Sequence, residues 1–306
     1  MITTFRFTPA WLVAGLFVLA GCGDKTPKEA NAKEPEAPTP TVSVAPESTI
    51  SPGETSAPVG PVSFATAESS FRERRYEDAV TGFTAYTASR PNVAFGFYML
   101  GLSAWKAGDL VKAEGAFRQA LSLDSTHLKS YLNLGRVLLD DGQPDSALVV
   151  LEAALRIDET SGVAYRLIGR VHAAKHEPDQ AVTAYHEALV LDSTDVWSMN
   201  NLGMVLIAQD AFDDALRPLA RAVELSPDVA TFQNNLGMAL ERTGHYTAAA
   251  DAYRAAIAAD SGFSKAQVNL DRVSTLQEDP NIGSIDLKVL SQGFGAQIAS
   301  WATQEK

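Results

Sequence analysis

The sequence predicts an all-α solenoid in which two-helix units stack one after another along the chain. A glycine recurs at a constant interval of 34 positions, and two sets of alanines recur with the same interval. The glycines are Gly101, Gly135, Gly169, Gly203 and Gly237. The alanines are Ala113, Ala147, Ala181, Ala215 and Ala249, and then Ala120, Ala154, Ala188, Ala222 and Ala256. Because one two-helix unit cannot cover its own apolar face, the units are expected to stack.

The elements of one unit can be assigned in order along the sequence. Tyr131, Leu134 and Leu138 follow helical spacing, with Gly135 on the same face. A glycine inside a helix costs about 1 kcal/mol relative to alanine, so its repeated use predicts a close helix crossing where a side chain would not fit. Residues 142–144, Gly-Gln-Pro, predict a turn, with the proline near the start of the second helix, where proline is tolerated.

Polar residues between the units predict caps for the helices that follow. Residues 124–126 and 192–194 both read Asp-Ser-Thr. Side chains of these types accept hydrogen bonds from the first backbone N–H groups of a helix. We therefore expect each tripeptide to form the N-cap of the next unit.

The repeating pattern resembles the tetratricopeptide repeat, in which Leu-Gly is followed by Ala, by an aromatic residue or Leu, and by a second Ala. In one unit the pattern is carried by Leu134-Gly135, Ala147, Leu151 and Ala154-Leu155. A more divergent copy at the front has Ala67 in the glycine position. The resemblance covers residues 62–275. It implies a right-handed α-solenoid of about six helix-turn-helix repeats, with the first helices on the concave side.

The N-terminal residues 1–21 have the composition of a secretory signal, and residues 11–20 form its apolar run. That run is about half of the ~20 residues needed to cross a bilayer. The sequence that ends at Cys22, Leu-Ala-Gly-Cys, resembles the lipobox of bacterial lipoproteins, which implies cleavage before Cys22 and its acylation. The alternative is an ordinary secreted protein with a stray cysteine. Because Gly23 rather than an aspartate follows, the enterobacterial sorting rule implies the outer membrane.

Residues 22–61, which begin with the predicted lipidated cysteine, contain no apolar periodicity. They hold eight prolines among serine, threonine, alanine and glutamate. Such a composition cannot bury enough apolar surface to offset the entropy of ordering. We expect a disordered tether that holds the solenoid away from a membrane.

The concave groove implied by the resemblance would be lined by the face of each first helix opposite its Leu-Gly pair. The candidate residues for binding a peptide are Asn133, Arg136, Arg166, Arg170, Asn200, Asn201, Met204, Asn234, Asn235, Met238, Arg242, Asn269 and Arg272. The same reasoning places Met99, Leu102 and Leu167 on this face. Asparagine can donate and accept at once, which suits a peptide backbone, and methionine adapts to apolar side chains of varied shape.

The charge of this face differs from that of the chain. The net charge is −12, or −13 once Arg6 leaves with the predicted signal. The positions opposite the Leu-Gly pairs instead hold one acid, Asp140, and five cations: Lys106, Arg136, Arg170, Arg242 and Arg272. We therefore expect a locally basic groove that binds a protein segment carrying some negative charge. The alternative is a solvated helix face without a ligand.

Chemistry beyond binding finds little support in the sequence. His172 and His176 are four residues apart, which can place two metal ligands on one helix face, but no third ligand is evident. Residues 291–295 do not match the G-x-S-x-G of a nucleophile elbow, and no phosphate-binding glycine-rich loop is present. The net acidity argues against nucleic acid as a partner. We predict no enzyme activity, no metal, no cofactor and no small-molecule substrate.

The tail, residues 276–306, contains apolar residues at helical spacing, although two glycines weaken the pattern. These residues are Leu287, Leu290, Phe294, Ile298 and Trp301. We expect a capping helix that covers the last open face of the stack. The alternative is a segment that docks onto a partner.

A lipid tether joined to a solenoid is similar in layout to pilotins, the lipoproteins that help place the secretins of type IV pili. The resemblance implies an envelope scaffold or adaptor that faces the periplasm and assists the assembly of an envelope complex, such as a secretin or outer-membrane proteins. A second hypothesis is a regulator of a cell-wall enzyme. A third, an enzyme, requires a convergent acid, base or metal cluster that the sequence does not contain.

Overall fold

The computed structural model describes residues 63–304, and these residues contain fourteen α-helices and no strand. The predicted signal (residues 1–21) and the predicted tether (residues 22–61, including Cys22) lie outside the described residues. The all-α solenoid of about six two-helix units is therefore confirmed for the described part of the chain.

Twelve of the helices form six consecutive pairs. The first helices of the pairs are α1 (Phe64–Arg72), α3 (Ala94–Ala107), α5 (Leu128–Asp140), α7 (Gly162–Ala174), α9 (Val196–Ala208) and α11 (Ala230–Arg242). The second helices are α2 (Tyr76–Ser89), α4 (Leu110–Leu123), α6 (Pro144–Ile157), α8 (Pro178–Leu191), α10 (Phe212–Leu225) and α12 (Tyr246–Ala259). A first helix without a pair, α13 (Ser264–Val273), and a final helix, α14 (Leu287–Gln304), follow.

The residues that recur once in each unit form the contact between its two helices. All ten recurring alanines are 0 % exposed. A Cβ atom built on Gly135 would lie 2.6 Å from Leu151 Cδ2, and one on Gly169 would lie 2.5 Å from Tyr185 Cε1. These distances are too short for a real contact, so the predicted close crossing is confirmed.

The turn inside each unit places one residue in the left-handed region, at the same place in every repeat. The residues concerned are Arg74, Gly108, Gly142, His176, Asp210 and Gly244, with φ between 58° and 86°. Glycine adopts this conformation without steric cost, yet three units use another residue. Pro144 and Pro178 begin α6 and α8, as their position in the sequence predicts.

The predicted N-caps lie elsewhere. Asp124 and Asp192 end the preceding helices, and each carboxylate accepts hydrogen bonds from the backbone N–H and the hydroxyl of the threonine two residues later, at 2.7 to 3.0 Å. The N-cap of α9 is Asp195, whose Oδ1 accepts from the backbone N–H groups of Trp197 and Ser198. The capping prediction was therefore wrong for these two aspartates, because a short loop separates them from the helix that follows.

The first helices lie on the inner side of the stack. Each of α3, α5, α7, α9 and α11 contacts the next first helix, whereas no comparable contact joins successive second helices within the described residues. Since neighbouring units approach most closely along the first helices, this side is concave and the second helices form the convex side.

The predicted C-terminal helix forms, but it lies on the convex side. Helix α14 packs against α10 and α8, and among the described helices it makes no comparable contact with α13. The reason is that residues 274–286 are not helical and carry the chain past α12, where the backbone N–H of Thr247 donates to Glu278 at 2.7 Å. Between residues 63 and 304, no helix combines the length and apolar character needed to cross a membrane.

Candidate functional site

The row of first helices carries a continuous chain of asparagine side chains. Between helices, Asn269 Nδ2 donates to Asn234 Oδ1 at 2.9 Å, and Asn235 Nδ2 donates to Asn200 Oδ1 at 2.9 Å. Within helices, Asn234 donates to Asn235 and Asn200 donates to Asn201, each at 3.3 Å. The five amides therefore connect α9, α11 and α13 along the concave side.

Burial divides the predicted groove residues into three groups. Six are buried: Asn133, Arg136, Arg166, Asn200, Asn234 and Asn235. Five are partly exposed: Arg170, Asn201, Met204, Met238 and Asn269. Two are exposed: Arg242 and Arg272. Solvent therefore reaches the amide chain most readily at its ends, Asn201 and Asn269, and beside the two methionines.

Three apolar residues predicted for the same face belong to the core. Met99, Leu102 and Leu167 are 2 %, 7 % and 0 % exposed. The helical period places them opposite the Leu-Gly pair, but neighbouring units cover that part of the helix. Their assignment to the groove was wrong.

Arginines of the row pair with carboxylates of a neighbouring unit. Arg166 donates to Asp195 at 2.6 Å, and the two side chains are 9 % and 6 % exposed. Ser198 Oγ also donates to this carboxylate, at 2.7 Å. Because the three groups satisfy one another away from water, they fix α7 against α9.

A second group of polar contacts lies at the other end of the row. Asn133 Nδ2 donates to the Tyr98 hydroxyl at 3.4 Å and its Oδ1 accepts from Arg136 at 2.8 Å. Asp140 accepts from Trp105 Nε1 at 2.9 Å and lies 3.7 Å from Arg170. These contacts join α3, α5 and α7.

The C-terminal end of the row is fixed by Glu241. This carboxylate accepts two hydrogen bonds from Arg272, both at 2.7 Å, and one from the Tyr253 hydroxyl at 2.8 Å. Burial opposes ionisation of Glu241, but the hydrogen bonds from Arg272 and Tyr253 outweigh it, so its pKa lies below the ordinary value. Burial and the bond to Glu241 raise the pKa of Tyr253.

The expectation of a basic groove is corrected by these pairs. Arg166, Arg170 and Arg272 have acidic partners within 4.0 Å, and Arg242 lies 3.5 Å from Asp210. Sequence analysis missed Asp195, Asp210 and Glu241, although each lies about one repeat from its arginine. That offset is the signal that could have revealed them.

The histidine pair does not form a metal site. His172 Nδ1 lies 2.7 Å from Glu177 Oε2, while His176 occupies the left-handed position of the turn. Within the described residues, no cluster of three or more side chains that could hold a metal ion is present.

The chain of asparagine amides along the first helices suits hydrogen bonding to another polypeptide.

Two family models, both described as tetratricopeptide repeat, match the sequence. One matches residues 64–127 and 200–262, and the other matches residues 104–171. Together they cover more than half of the 306 residues. No curated protein matches the sequence.

Similar solved structures include a thermophilic TPR protein of Thermus thermophilus, at 17 % identity and a TM-score of 0.53, covering 60 % of this chain and 100 % of that one. The C-terminal part of a TPR repeat-containing protein from Cytophaga hutchinsonii is 19 % identical with a TM-score of 0.53, and the match covers 69 % of this chain and 84 % of that one. A chain of the APC/C hetero-tetramer Cut9-Hcn1 is 16 % identical with a TM-score of 0.59, and the match covers 78 % of this chain and 45 % of that one. At these identities the similarity shows the fold alone.

Proposed function

Because this chain belongs to the tetratricopeptide repeat family, we propose that it is a non-enzymatic scaffold that binds a segment of a partner protein along its concave row of first helices. Stacked repeats create extended concave surfaces that suit a peptide better than a small molecule. The partner segment lies along α9, α11 and α13.

The asparagine chain is the observation that carries this proposal. An amide has two N–H donors and two acceptor lone pairs, so Asn201 and Asn269, the partly exposed ends of the chain, keep further capacity after the one bond that each makes within it. The chain holds the amides in fixed orientations, which lowers the entropy lost when a peptide backbone binds. Met204 and Met238 lie on the same helices and suit apolar side chains of the segment.

The charge of the ligand follows from the ion pairs. Since Arg166, Arg170, Arg242 and Arg272 each have an acidic partner within 4.0 Å, an acidic segment would compete there with carboxylates already in place. We therefore expect a segment of low net charge, recognised through its backbone and apolar side chains.

We propose that the protein is located in the bacterial cell envelope. The sequence Leu-Ala-Gly-Cys at residues 19–22 supports a lipid anchor at Cys22, with the solenoid facing the periplasm and the outer membrane as the anchoring membrane. The task that fits an anchored scaffold is assembly of an envelope complex, such as a pilus secretin or outer-membrane proteins.

Site-specific photo-crosslinking in cells tests the groove. A photoreactive residue at Asn201 or at Met238 should form a covalent adduct with the partner, which mass spectrometry then identifies. The same residue at Gln119, an exposed amide on the second helix α4, serves as the control. Adduct formation should fall when Asn269→Ala is added to the Asn201 probe.

Equal adducts from Asn201 and Gln119, or none from either groove position, would refute binding in the groove. If the crosslinked partner is a cell-wall enzyme whose activity changes while envelope complexes stay intact, the groove would still be the binding site. The function would then be regulation of that enzyme and not assembly of a complex.

A further inference from the structure

Helix α14 lies in an apolar groove between the second helices α8 and α10. Phe294 and Ile298 are 2 % and 1 % exposed and join the cluster that contains Tyr185 and Leu189 of α8. The ring of Trp301 lies 4.0 Å from the imidazole of His186, measured between centroids. The groove therefore accepts an aromatic, an aliphatic and a second aromatic residue from one face of a helix.

Polar contacts fix the direction of α14 in this groove. Ser291 Oγ donates to Glu224 of α10, which also accepts from Arg221 Nη1 at 2.7 Å. These two hydrogen bonds lower the pKa of Glu224, so the carboxylate is charged at neutral pH. The groove thus recognises a hydroxyl group one turn before the first aromatic residue.

Two features lower the stability of α14 in its docked position. A Cβ atom on Gly293 would meet nothing within 4 Å, and one on Gly295 would lie 3.8 Å from Arg221, an ordinary contact. Alanine would fit both positions, yet each glycine weakens the helix. Arg221 Nε is buried without a hydrogen-bond acceptor among the described residues, which also opposes the docked state.

The helix is joined to the repeats by a single connection. Residues 274–286 form no helix, and the six helix pairs α1 to α12 have their own buried contacts. Undocking of α14 would expose the groove between α8 and α10 without breaking the pairing of any unit.

We propose that the groove between α8 and α10 is a second protein-binding site, held by α14 in the free protein and taken by an amphipathic helix of a partner protein. The partner helix carries the pattern of Ser291, Phe294, Ile298 and Trp301: a hydroxyl residue, then an aromatic, an aliphatic and an aromatic residue 3, 7 and 10 positions later. A partner with better helix formers at the two glycine positions displaces α14 although α14 has the advantage of attachment. The site is on the convex side and separate from the asparagine chain.

A labelled peptide of residues 286–304 with Gly293→Ala is the probe, and three full-length chains are compared. The native chain should bind it measurably. A chain with Phe294→Asp and Ile298→Asp, in which α14 cannot dock, should bind it more tightly. A chain with Gly293→Ala, in which α14 docks more firmly, should bind it about fivefold more weakly than the native chain.

Several controls make the ordering decisive. A probe with Phe294→Ala and Trp301→Ala should not bind, and Gln119→Ala in the chain should leave binding unchanged because the exposed Gln119 lies on α4, outside the groove between α8 and α10. Circular dichroism reports whether the double variant is folded. If the double variant does not fold, the affinities of the native and Gly293→Ala chains for the probe still test the proposal.

Equal affinity of all three chains, or no binding to any, would overturn the proposal. A concentration-dependent dimer of the native chain that is lost in the double variant would overturn it differently, by assigning the groove to α14 of a second copy.

Discussion

At the scale of single residues, the absence of one methyl group determines how the helices of each unit pack. The five recurring glycines lie under Phe117, Leu151, Tyr185, Leu219 and Tyr253, each at a distance that leaves no room for a Cβ atom. The packing partner always occupies the same position in the second helix of the unit. The glycine is therefore required by the neighbour's side chain rather than by its own backbone conformation, because it lies inside a helix.

Gly135→Ala should destabilise the protein by about 1–3 kcal/mol, because the added methyl group overpacks the contact with Leu151. The matched control is Gly115→Ala in α4, where a Cβ atom meets nothing within 4 Å. This change should stabilise the protein by about 1 kcal/mol through helix propensity. Urea unfolding followed by circular dichroism measures both, and destabilisation of equal size would contradict the close-crossing explanation.

At the scale of elements, polar contacts between neighbouring units hold the row of first helices in register. The clearest case is Glu241 of α11, which binds Arg272 of α13 and Tyr253 of α12. Because the described chain leaves α13 without a second helix of its own, this carboxylate supplies much of its polar attachment. The charged state of Glu241 is needed for the bidentate contact with Arg272.

The contribution of Glu241 should depend on pH. Its pKa in the folded protein lies below the unfolded value of about 4.3, so the stabilisation is complete above that pH and is lost as the pH falls through the lowered pKa. Glu241→Gln should therefore lower stability at neutral pH and have a smaller effect in acid, at a pH below the lowered pKa, where the carboxylate of the native protein is protonated.

Urea midpoints of the native and variant proteins at the two pH values measure this difference. Glu152→Gln, at an exposed position on α6, is the control and should change little at either pH. A Glu241→Gln effect of the same size in acid and at neutral pH would show that the charge of Glu241 is unimportant.

At the scale of the whole molecule, the described solenoid presents two surfaces of different character. The concave side carries the asparagine chain, and the convex side carries the groove that α14 fills. A scaffold with two such surfaces can hold two partners at once. The proposed anchor at Cys22 would link both to a membrane through the predicted tether.

Cys22→Ser should move the protein from the membrane fraction to the soluble fraction of the envelope, because the proposed acyl chains are attached to this cysteine and multiple acyl chains anchor a protein stably. Fractionation of cells and labelling with a fatty-acid analogue measure the change. Ser48→Ala, at a position within the proposed tether, is the control. Membrane retention of the Cys22→Ser protein, together with an unlabelled native protein, would rule out the anchor.

The sequence by itself determined the helices, the six units and the contact inside each unit. These features arise within a single repeat and recur in the next, so Gly135 and Ala147 report the same contact as their counterparts in other units. The sequence predicts the left-handed turn position less clearly, because three units have Arg74, His176 and Asp210 there instead of glycine.

Only the tertiary structure decided which charges face a partner and where α14 lies. Arg166 is neutralised by Asp195, 29 residues away, and Ser291 reaches Glu224 across 67 residues. Such contacts depend on how units stack and where a non-helical linker leads, and helical periodicity carries no information about either. Periodic patterns specify each unit, whereas the binding surfaces are made by contacts between units.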